Sequence, residues 1–277
     1  MALTVNTNIA SLNAQRNLTT TQTQLNKSLQ RLSSGLRINS AADDAAGLAI
    51  SEGMRSQIRS MNQAVRNAND GVSLVQTAEG ALNEVSNILV RMRELATQSA
   101  TGTVSSEQRA YIDNEFTQLK SEIDRIASAT QFNGTSLLSN SSGQTVSFQV
   151  GAGATANDVI SVTISAAGAS SIGVGTASVS GATGAAATAA LTAIDSAITS
   201  VSNIRGTLGA IQNRLQSTIN NLQVSVENLS AAESRIRDVD VASETAAMTR
   251  AQILTQAGTS ILAQANQTPQ SALSLLR

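Results

Sequence analysis

The chain has 277 residues and a formal net charge of −1, and it contains no cysteine, histidine or tryptophan. A nearly neutral chain favours neither nucleic acid nor an anionic membrane as a partner, and a chain without histidine or cysteine lacks the usual ligands for zinc and cannot form a disulfide framework. With one tyrosine and three phenylalanines, burial depends on aliphatic side chains, which suits long helix pairs better than a rounded core.

The first predicted element is an amphipathic helix within residues 1–42. Three leucines of this segment stand seven residues apart, at Leu18, Leu25 and Leu32. A period near 3.5 keeps one stripe of a helix facing a partner, so this segment is expected to pair with another helix.

Two acidic residues precede the next helix. Ser40 and Asp43 have the spacing of a capping box, and Asp43 and Asp44 suit the positive first turn of a helix. A catalytic carboxylate dyad is the alternative interpretation of the two aspartates, and helix initiation is preferred.

Residues 43–130 are predicted to form two helices. Apolar residues at alternating steps of three and four indicate one helix up to Ser99, with about 56 residues and a length of roughly 84 Å. Gly102 breaks this helix, and a second helix follows with Tyr111 and Phe116 on one side.

Residues 131–187 change to glycine, alanine, serine and threonine. Two segments alternate between apolar and polar residues, 146–150 and 160–164, and predict a β-hairpin with a long loop. The part from Ala166 to Ala190 is expected to be an exposed loop, a weak strand or a flexible linker.

The remaining segments, 188–238 and 239–277, are predicted to be helical. Seven consecutive heptad positions of the first are apolar: Ile194, Val201, Leu208, Leu215, Leu222, Leu229 and Ile236. A lone helix cannot bury such a stripe, so the seam requires a partner helix. The second segment is also amphipathic.

No catalytic, metal or cofactor site is indicated. The chain has no phosphate-binding glycine motif, and a non-enzymatic protein without a cofactor is expected. The sequence contains no run of 18 apolar residues, so no membrane span is predicted. The first residues do not have the pattern of a secretory signal peptide.

Several long motifs resemble those of bacterial flagellins. They are SSGLRINSAADDAAGLAIS at 33–51, RMRELATQSA at 91–100, EIDRIASATQFNGTSLL at 122–138, and the run from NNLQVSVENLS to SALSLLR at 220–277. The resemblance covers roughly residues 1–140 and 188–277, and the short middle leaves no room for the bulky outer domains of many flagellins.

The resemblance implies a mainly-α fold: a long antiparallel coiled coil or helical-bundle rod with a small β-hairpin region. The rod would comprise 43–130 and 188–238, and the hairpin region 131–187. The terminal segments 1–42 and 239–277 are disordered in the family's free monomer and form an inner coiled coil on assembly, as in folding coupled to binding.

The same resemblance implies a structural subunit that polymerises with copies of itself into the flagellar filament, outside the cell. It implies export in the unfolded state by the flagellar type III apparatus. A secretion chaperone, the filament cap and the hook-junction proteins are the other expected partners. Assembly contacts are predicted at Leu25, Leu29, Leu32, Leu254, Ile261, Leu262 and Leu276.

Flagellins are also recognised by innate immunity. The family's Toll-like receptor epitope carries over to Arg91, Leu95 and Glu115, while Val90 stands where a polar residue is usual. The alternative is that these residues only pack laterally in the filament, and both interpretations can hold together.

Two other functions are weighed against the filament subunit. A hook–filament junction protein shares the paired termini but joins segments instead of building the tube. A secreted adhesive surface protein would be expected to carry aromatic or charged clusters between residues 140 and 190, where only Phe148 and Asp158 occur.

Overall fold

The computed structural model describes residues 7–140 and 143–274, with side chains described up to residue 267. The helices of this part are α1 (Ile9–Ser34), α2 (Ala45–Ala100), α3 (Ser106–Ala129), α4 (Ala185–Arg237) and α5 (Val241–Ser274). The strands are β1 (Gln131–Phe132), β2 (Thr135–Ser136), β3 (Gln144–Gln149) and β4 (Val159–Ile164). The predicted mainly-α fold with a small antiparallel β region is confirmed.

Two compact units divide the chain. The terminal unit consists of the described parts of Met1–Ser56 and Glu227–Arg277, and the central unit consists of the described parts of Gln57–Val226. Helices α2 and α4 contribute residues to both units. The five segments named from the sequence follow changes of composition, and their boundaries stay a prediction.

Local capping explains where the helices begin and end. Asn8 caps α1 by accepting a 3.0 Å hydrogen bond from the Ser11 N–H, and Gly35 ends α1 in the left-handed region at φ 72°. Ser105 and Gln108 form a reciprocal capping box at the start of α3. Helix α2 has 56 residues, which confirms the predicted uninterrupted helix before Gly102.

The predicted arrangement at the start of α2 is wrong in one detail. Helix α2 begins at Ala45 and has no acidic residue in its first turn. Asp44 instead caps the helix, because its carboxylate accepts a 2.9 Å hydrogen bond from the Gly47 N–H. Asp43 closes the preceding turn by accepting hydrogen bonds from the Ser40 N–H and hydroxyl, each at 3.1 Å.

The central unit has a continuous aliphatic core. Side chains of α2, α3, α4 and β4 meet in one cluster, together with residues between β4 and α4. Four of the seven predicted heptad positions of α4 belong to this cluster: Ile194, Val201, Leu208 and Leu215. Leu222 is also buried but is not part of the cluster. The last two positions, Leu229 and Ile236, are half-buried and belong to the terminal unit.

Strands β3 and β4 form the predicted hairpin. They pair antiparallel, with Val146 opposite Val162 and Phe148 opposite Ile160. A second, shorter hairpin joins β1 and β2 and was not predicted from the sequence. Its turn residues Asn133 and Gly134 both have positive φ, at 49° and 78°, which is the chemistry of a tight hairpin turn.

The segment 165–184, between β4 and α4, corrects the expectation of an exposed loop, weak strand or linker. It is buried against the central core at several apolar residues: Ala167, Ala169, Ile172, Val174 and Val179. Two of these side chains are alanines and three are β-branched, and all five are packed into the interior, so this irregular backbone becomes part of the core.

Charged residues of α3 satisfy the polar backbone of this segment. Asp124 accepts a 2.8 Å hydrogen bond from the Ala169 N–H, and Asp113 accepts one of 2.8 Å from the Val179 N–H. Lys120 donates to the Ala177 carbonyl at 2.8 Å. A loop without regular secondary structure must find such partners to be buried.

Helix α4 bears on the expectation that no segment spans a membrane, and that expectation stays a prediction. It contains an 18-residue window with a mean hydropathy of 1.2, long and apolar enough by composition to cross a membrane. The core helix of a soluble protein has the same property, and the first heptad positions of α4 lie in the core of the central unit.

Candidate assembly surface of the terminal helices

Helices α1 and α5 pair antiparallel in the terminal unit. The Asn8 amide donates to the Ala265 carbonyl at 2.7 Å, and the Ser11 hydroxyl donates to the Asn266 side chain at 2.8 Å. Toward the other end of α1, the guanidinium of Arg31 lies 3.5 Å from a carboxylate oxygen of Glu244. These contacts define a single register between the two helices.

The seam between these helices, called here the α1–α5 seam, is built from small or leucine side chains at heptad spacing. On α1 its residues are Ser11, Ala14, Leu18, Thr21, Leu25 and Ser28, and on α5 they are Ala251, Thr255, Gly258, Leu262 and Ala265. A Cβ atom at Gly258 would meet the Leu18 side chain at 3.3 Å. The helix axes therefore approach closely, and the seam itself buries little large apolar surface.

The two connectors of the terminal unit are tied together by backbone hydrogen bonds. Leu36 and Asp238 form an antiparallel bridge. The Arg37 N–H donates to the Arg237 carbonyl at 2.6 Å, and the Val239 N–H donates to the Gly35 carbonyl at 3.0 Å. The end of α1 and the start of α5 are consequently held side by side.

Charged residues of the terminal unit concentrate near these connectors. The Lys27 Nζ lies 3.1 Å from the Asp43 Oδ1, and the Arg237 Nη1 lies 2.8 Å from the Glu52 Oε1. The Lys27 ammonium and the hydrogen bonds from Ser40 lower the pKa of Asp43 to about 2. The guanidinium of Arg237, followed by that of Arg55, lowers the pKa of Glu52.

Large apolar side chains cover the outside of the terminal unit. Eight of them are 46–64 % exposed and are called here the outer apolar set: Ile9, Leu12, Leu29, Ile50, Val241, Ile253, Leu254 and Ile261. A concentration of large exposed apolar side chains on one unit is typical of an interaction surface. Within the described residues of the terminal unit, nothing covers this set.

The polar part of α1 is almost uncharged and largely self-satisfied. Four threonine hydroxyls, those of Thr19, Thr20, Thr21 and Thr23, donate to backbone carbonyls four residues earlier at 2.8–3.0 Å. Such a surface can be covered by a partner without leaving buried hydroxyl donors unpaired.

Two protein-family models together match most of the chain. The bacterial flagellin N-terminal helical region matches residues 5–143, and the bacterial flagellin C-terminal helical region matches residues 191–276. The chain belongs to the bacterial flagellin family. The paired helices of the terminal unit lie within these two flagellin regions.

Similar flagellar proteins have nearly the same length. This flagellin is 50 % identical to the flagellin of Halalkalibacterium halodurans over 273 residues, which are 99 % of each chain. It is 46 % identical to the flagellar filament 33 kDa core protein of Treponema phagedenis over 285 residues, again 99 % of each chain. The short middle region is therefore shared with these relatives.

A solved structure is similar in fold alone. A putative flagellar hook-associated protein from Vibrio parahaemolyticus aligns with a TM-score of 0.58 and 15 % identity, over 71 % of this chain and all of that protein's chain. At this identity the likeness concerns the arrangement of helices and does not extend to function.

The predicted assembly residues of this flagellin fall into two groups. Leu25, Leu32 and Leu262 are half-buried, and Leu25 and Leu262 lie in the α1–α5 seam of the same chain. Leu29, Leu254 and Ile261 belong to the outer apolar set. Leu276 lies outside the described residues.

The sequence reasoning missed the other five members of the outer apolar set: Ile9, Leu12, Ile50, Val241 and Ile253. Ile9 and Leu12 lie off the heptad positions of the candidates chosen on α1, and Ile253 lies off those chosen on α5. Ile50 lies on α2, where no candidate was chosen, and Val241 shares the heptad position of Leu262 but stands at the start of α5. A search for a second apolar stripe on the same helices would have found Ile9, Leu12 and Ile253, because a helix that packs on two sides carries apolar residues on two faces.

The predicted immune epitope of this flagellin lies in the central unit. The Arg91 guanidinium donates to Glu115 at 2.9 Å and to Glu94 at 2.9 Å, and these two carboxylates, Glu94 first, raise the pKa of Arg91. Arg91 and Glu115 are half exposed, whereas Leu95 is only 2 % exposed. The structure thus brings Arg91 and Glu115 together at the surface and places Leu95 in the core.

No cluster of three or more potential metal-ligating residues occurs in the described part of the chain. Of the two aspartates weighed as a dyad, Asp43 faces Lys27 and Asp44 caps α2. Both carboxylates therefore have structural partners that agree with helix initiation.

Proposed function

We propose that this flagellin is the repeating subunit of the bacterial flagellar filament and that it polymerises through the outer apolar set of its terminal helices. The family membership supports a structural role in the flagellum. A hook–filament junction protein is the less favoured alternative, because close relatives over the whole length are a flagellin and a filament core protein.

One observation supports the proposed assembly surface. In the described part of the terminal unit, the buried apolar residues are Ala14, Ile38 and Ala251. Eight larger apolar side chains of the same unit remain 46–64 % exposed. A unit that hides so little of its own apolar surface gains most of its hydrophobic stabilisation from contacts with other molecules.

The proposal is tested by seeded polymerisation of the purified chain carrying Leu29→Asp, Leu254→Asp or Ile261→Asp. We expect each change to raise the critical concentration by about tenfold or more, because a tenfold change needs only about 1.4 kcal/mol and an unpaired buried carboxylate costs more than that. Sedimentation and negative-stain electron microscopy measure the polymer.

Ala154→Asp is the matched control, since it adds the same charge at an exposed position in the β3–β4 loop. The circular dichroism of all variants should match that of the unmodified chain. Normal critical concentrations for all three terminal variants would refute the proposed surface. Failure of the unmodified chain to form filaments from seeds would instead favour a junction protein.

Export and location are part of the same proposal. We infer an extracellular filament whose subunits leave the cell unfolded through the flagellar type III apparatus, with a secretion chaperone, the filament cap and hook-junction proteins as partners. The membership of the chain in the bacterial flagellin family supports this inference.

We also propose that Arg91 and Glu115 contribute to binding by a host Toll-like receptor. Both side chains are accessible and adjacent, whereas Leu95 would act through the packing of α2. Arg91→Ala and Glu115→Ala should reduce the potency of the monomer in a receptor reporter-cell assay by about tenfold each, as expected for charged groups at an interface centre. Arg125→Ala, an exposed arginine of α3, is the control and should leave potency unchanged.

A further inference from the structure

The leucine and small residues of the α1–α5 seam do not by themselves define its register. They recur at heptad spacing on both helices. Sliding the helices by one heptad in one direction places Leu25 opposite Gly258 in the position of Leu18, and sliding them in the other direction places Ser11 there. Apolar packing alone therefore discriminates weakly against the first of these shifts.

One ion pair crosses this seam. Arg31 in the last turn of α1 lies 3.5 Å from Glu244 in the first turn of α5, and their side chains are 24 % and 12 % exposed. Glu244 is the only acidic residue in the sequence of α5, and α1 contains none. Among the cations of α1, Arg31 is the one that lies beside this carboxylate, since Lys27 pairs with Asp43.

The polar atoms at and around this pair are only partly hydrogen-bonded. Ser28, one turn before Arg31, is fully buried. Its hydroxyl, the Nε of Arg31 and one carboxylate oxygen of Glu244 are buried without a hydrogen-bond partner among the described residues. An apolar layer would pack here at lower cost, so the polar layer weakens the pairing and is not explained by stability.

We propose that the Arg31–Glu244 pair, together with the neighbouring backbone hydrogen bonds of the connectors, fixes the register of α1 against α5. A buried polar layer in an otherwise repetitive helical seam is the established physical means of selecting one alignment at the expense of stability. This inference extends the proposed assembly function, since the outer apolar set has one fixed arrangement only if the two helices share one register.

The two shifted alignments are both unfavourable. A shift of one heptad in one direction places Arg31 opposite Ala251, which leaves the guanidinium without an anion next to a buried alanine. A shift in the other direction carries Arg31 past Val241, the first residue of α5, and leaves the Glu244 carboxylate without its cation. The pair therefore acts against slippage in both directions.

Disulfide trapping can measure the register directly, because the natural chain contains no cysteine. The Leu18 Cβ lies 3.9 Å from an ideal Cβ at Gly258, close to the spacing of about 3.8 Å in disulfides. Leu18→Cys with Gly258→Cys thus reports the observed register. Leu25→Cys or Ser11→Cys with Gly258→Cys reports a shift of one heptad in either direction.

The experiment compares three backgrounds of the full chain under seeded polymerisation and mild oxidation. In the natural background, the 18–258 disulfide should exceed either shifted disulfide by roughly tenfold, the ratio that about 1.4 kcal/mol maintains. Replacing the pair by Arg31→Met and Glu244→Leu should raise the yield of the shifted disulfides several-fold relative to the 18–258 disulfide, while the connector hydrogen bonds still favour the observed register. Exchanging the charges by Arg31→Glu and Glu244→Arg should restore the preference for 18–258.

Arg125→Met with Glu122→Leu is the matched control, because it removes an ion pair of the same types within α3. An apolar background that still forms only the 18–258 disulfide would overturn the register proposal. So would an exchanged background that fails to restore the preference. Neither result would contradict the proposed filament function, which is tested separately by the aspartate variants of the outer apolar set.

Discussion

A single carboxylate, Asp43, shows how a short turn and a neighbouring helix combine in the terminal unit. Its oxygens accept hydrogen bonds from the Ser40 backbone and hydroxyl, and the Lys27 ammonium of α1 lies 3.1 Å away. These groups favour the ionised form, and they lower the pKa of Asp43 from 3.8 to about 2.

This lowered pKa gives a prediction about acid. Because the folded pKa lies below the unfolded one, the stabilisation from Asp43 is fully present above about pH 3.8 and is lost as the pH falls toward 2. In a carboxyl NMR titration, Asp43 should have its midpoint near pH 2 in the natural chain. The midpoint should move toward 3.8 in Lys27→Met.

Arg16→Met serves as the control for this titration, since it removes a positive charge from the exposed surface of the same helix. It should leave the Asp43 midpoint where it is in the natural chain. An unchanged midpoint in Lys27→Met would mean that the turn hydrogen bonds alone hold the carboxylate ionised.

At the scale of elements, Arg109 is the residue that joins α3 to the segment 165–184. It is only 3 % exposed. Its guanidinium donates to the carbonyls of Ser99 at 2.9 Å, Thr101 at 3.1 Å and Ala182 at 3.0 Å. One side chain therefore donates to backbone carbonyls at the end of α2 and in the segment just before α4.

Arg109→Met should destabilise the central unit by about 3 kcal/mol, because several buried carbonyls lose a charged donor at once. Urea unfolding followed by circular dichroism measures the change. Arg125→Met, on an exposed face of the same helix, should stay within about 0.5 kcal/mol of the natural chain. Equal effects of the two substitutions would contradict the role assigned to Arg109.

The helices could be predicted from the sequence, whereas the segment 165–184 could not. Heptad patterns are local, so α2 and the buried stripe of α4 follow from residue spacing alone. The order of 165–184 depends on Asp113 and Asp124, which lie 45 to 66 residues away in the chain and bond to its backbone N–H groups. Charged residues on a helix are usually solvated, and nothing local distinguishes these two.

The candidate site was predicted only in part for a similar reason. Leu25 and Leu29 are both leucines of one helix, yet Leu25 faces the α1–α5 seam and Leu29 is 46 % exposed. The spacing shows that α1 has apolar faces but does not say which face the partner in the same chain covers. That assignment needs the register of α1 against α5.

At the scale of the whole molecule, the two units differ in how they bury apolar surface. The central unit holds nearly all of the buried apolar residues described, including Phe116, Leu89 and Leu208. The terminal unit has three, and two of them are alanines. The central unit is therefore stabilised by its own core, and the terminal unit depends on further contacts.

The threonine-rich surface of α1 determines how an interface of this helix responds to the salt concentration. Helix α1 carries only Arg16, Lys27 and Arg31 as charged residues, and its threonine hydroxyls already bond to the helix backbone. Dissolved ions screen exposed charges, whereas salts that are excluded from protein surfaces strengthen apolar burial. An interface made from such helices would hold in fresh water and in brine alike.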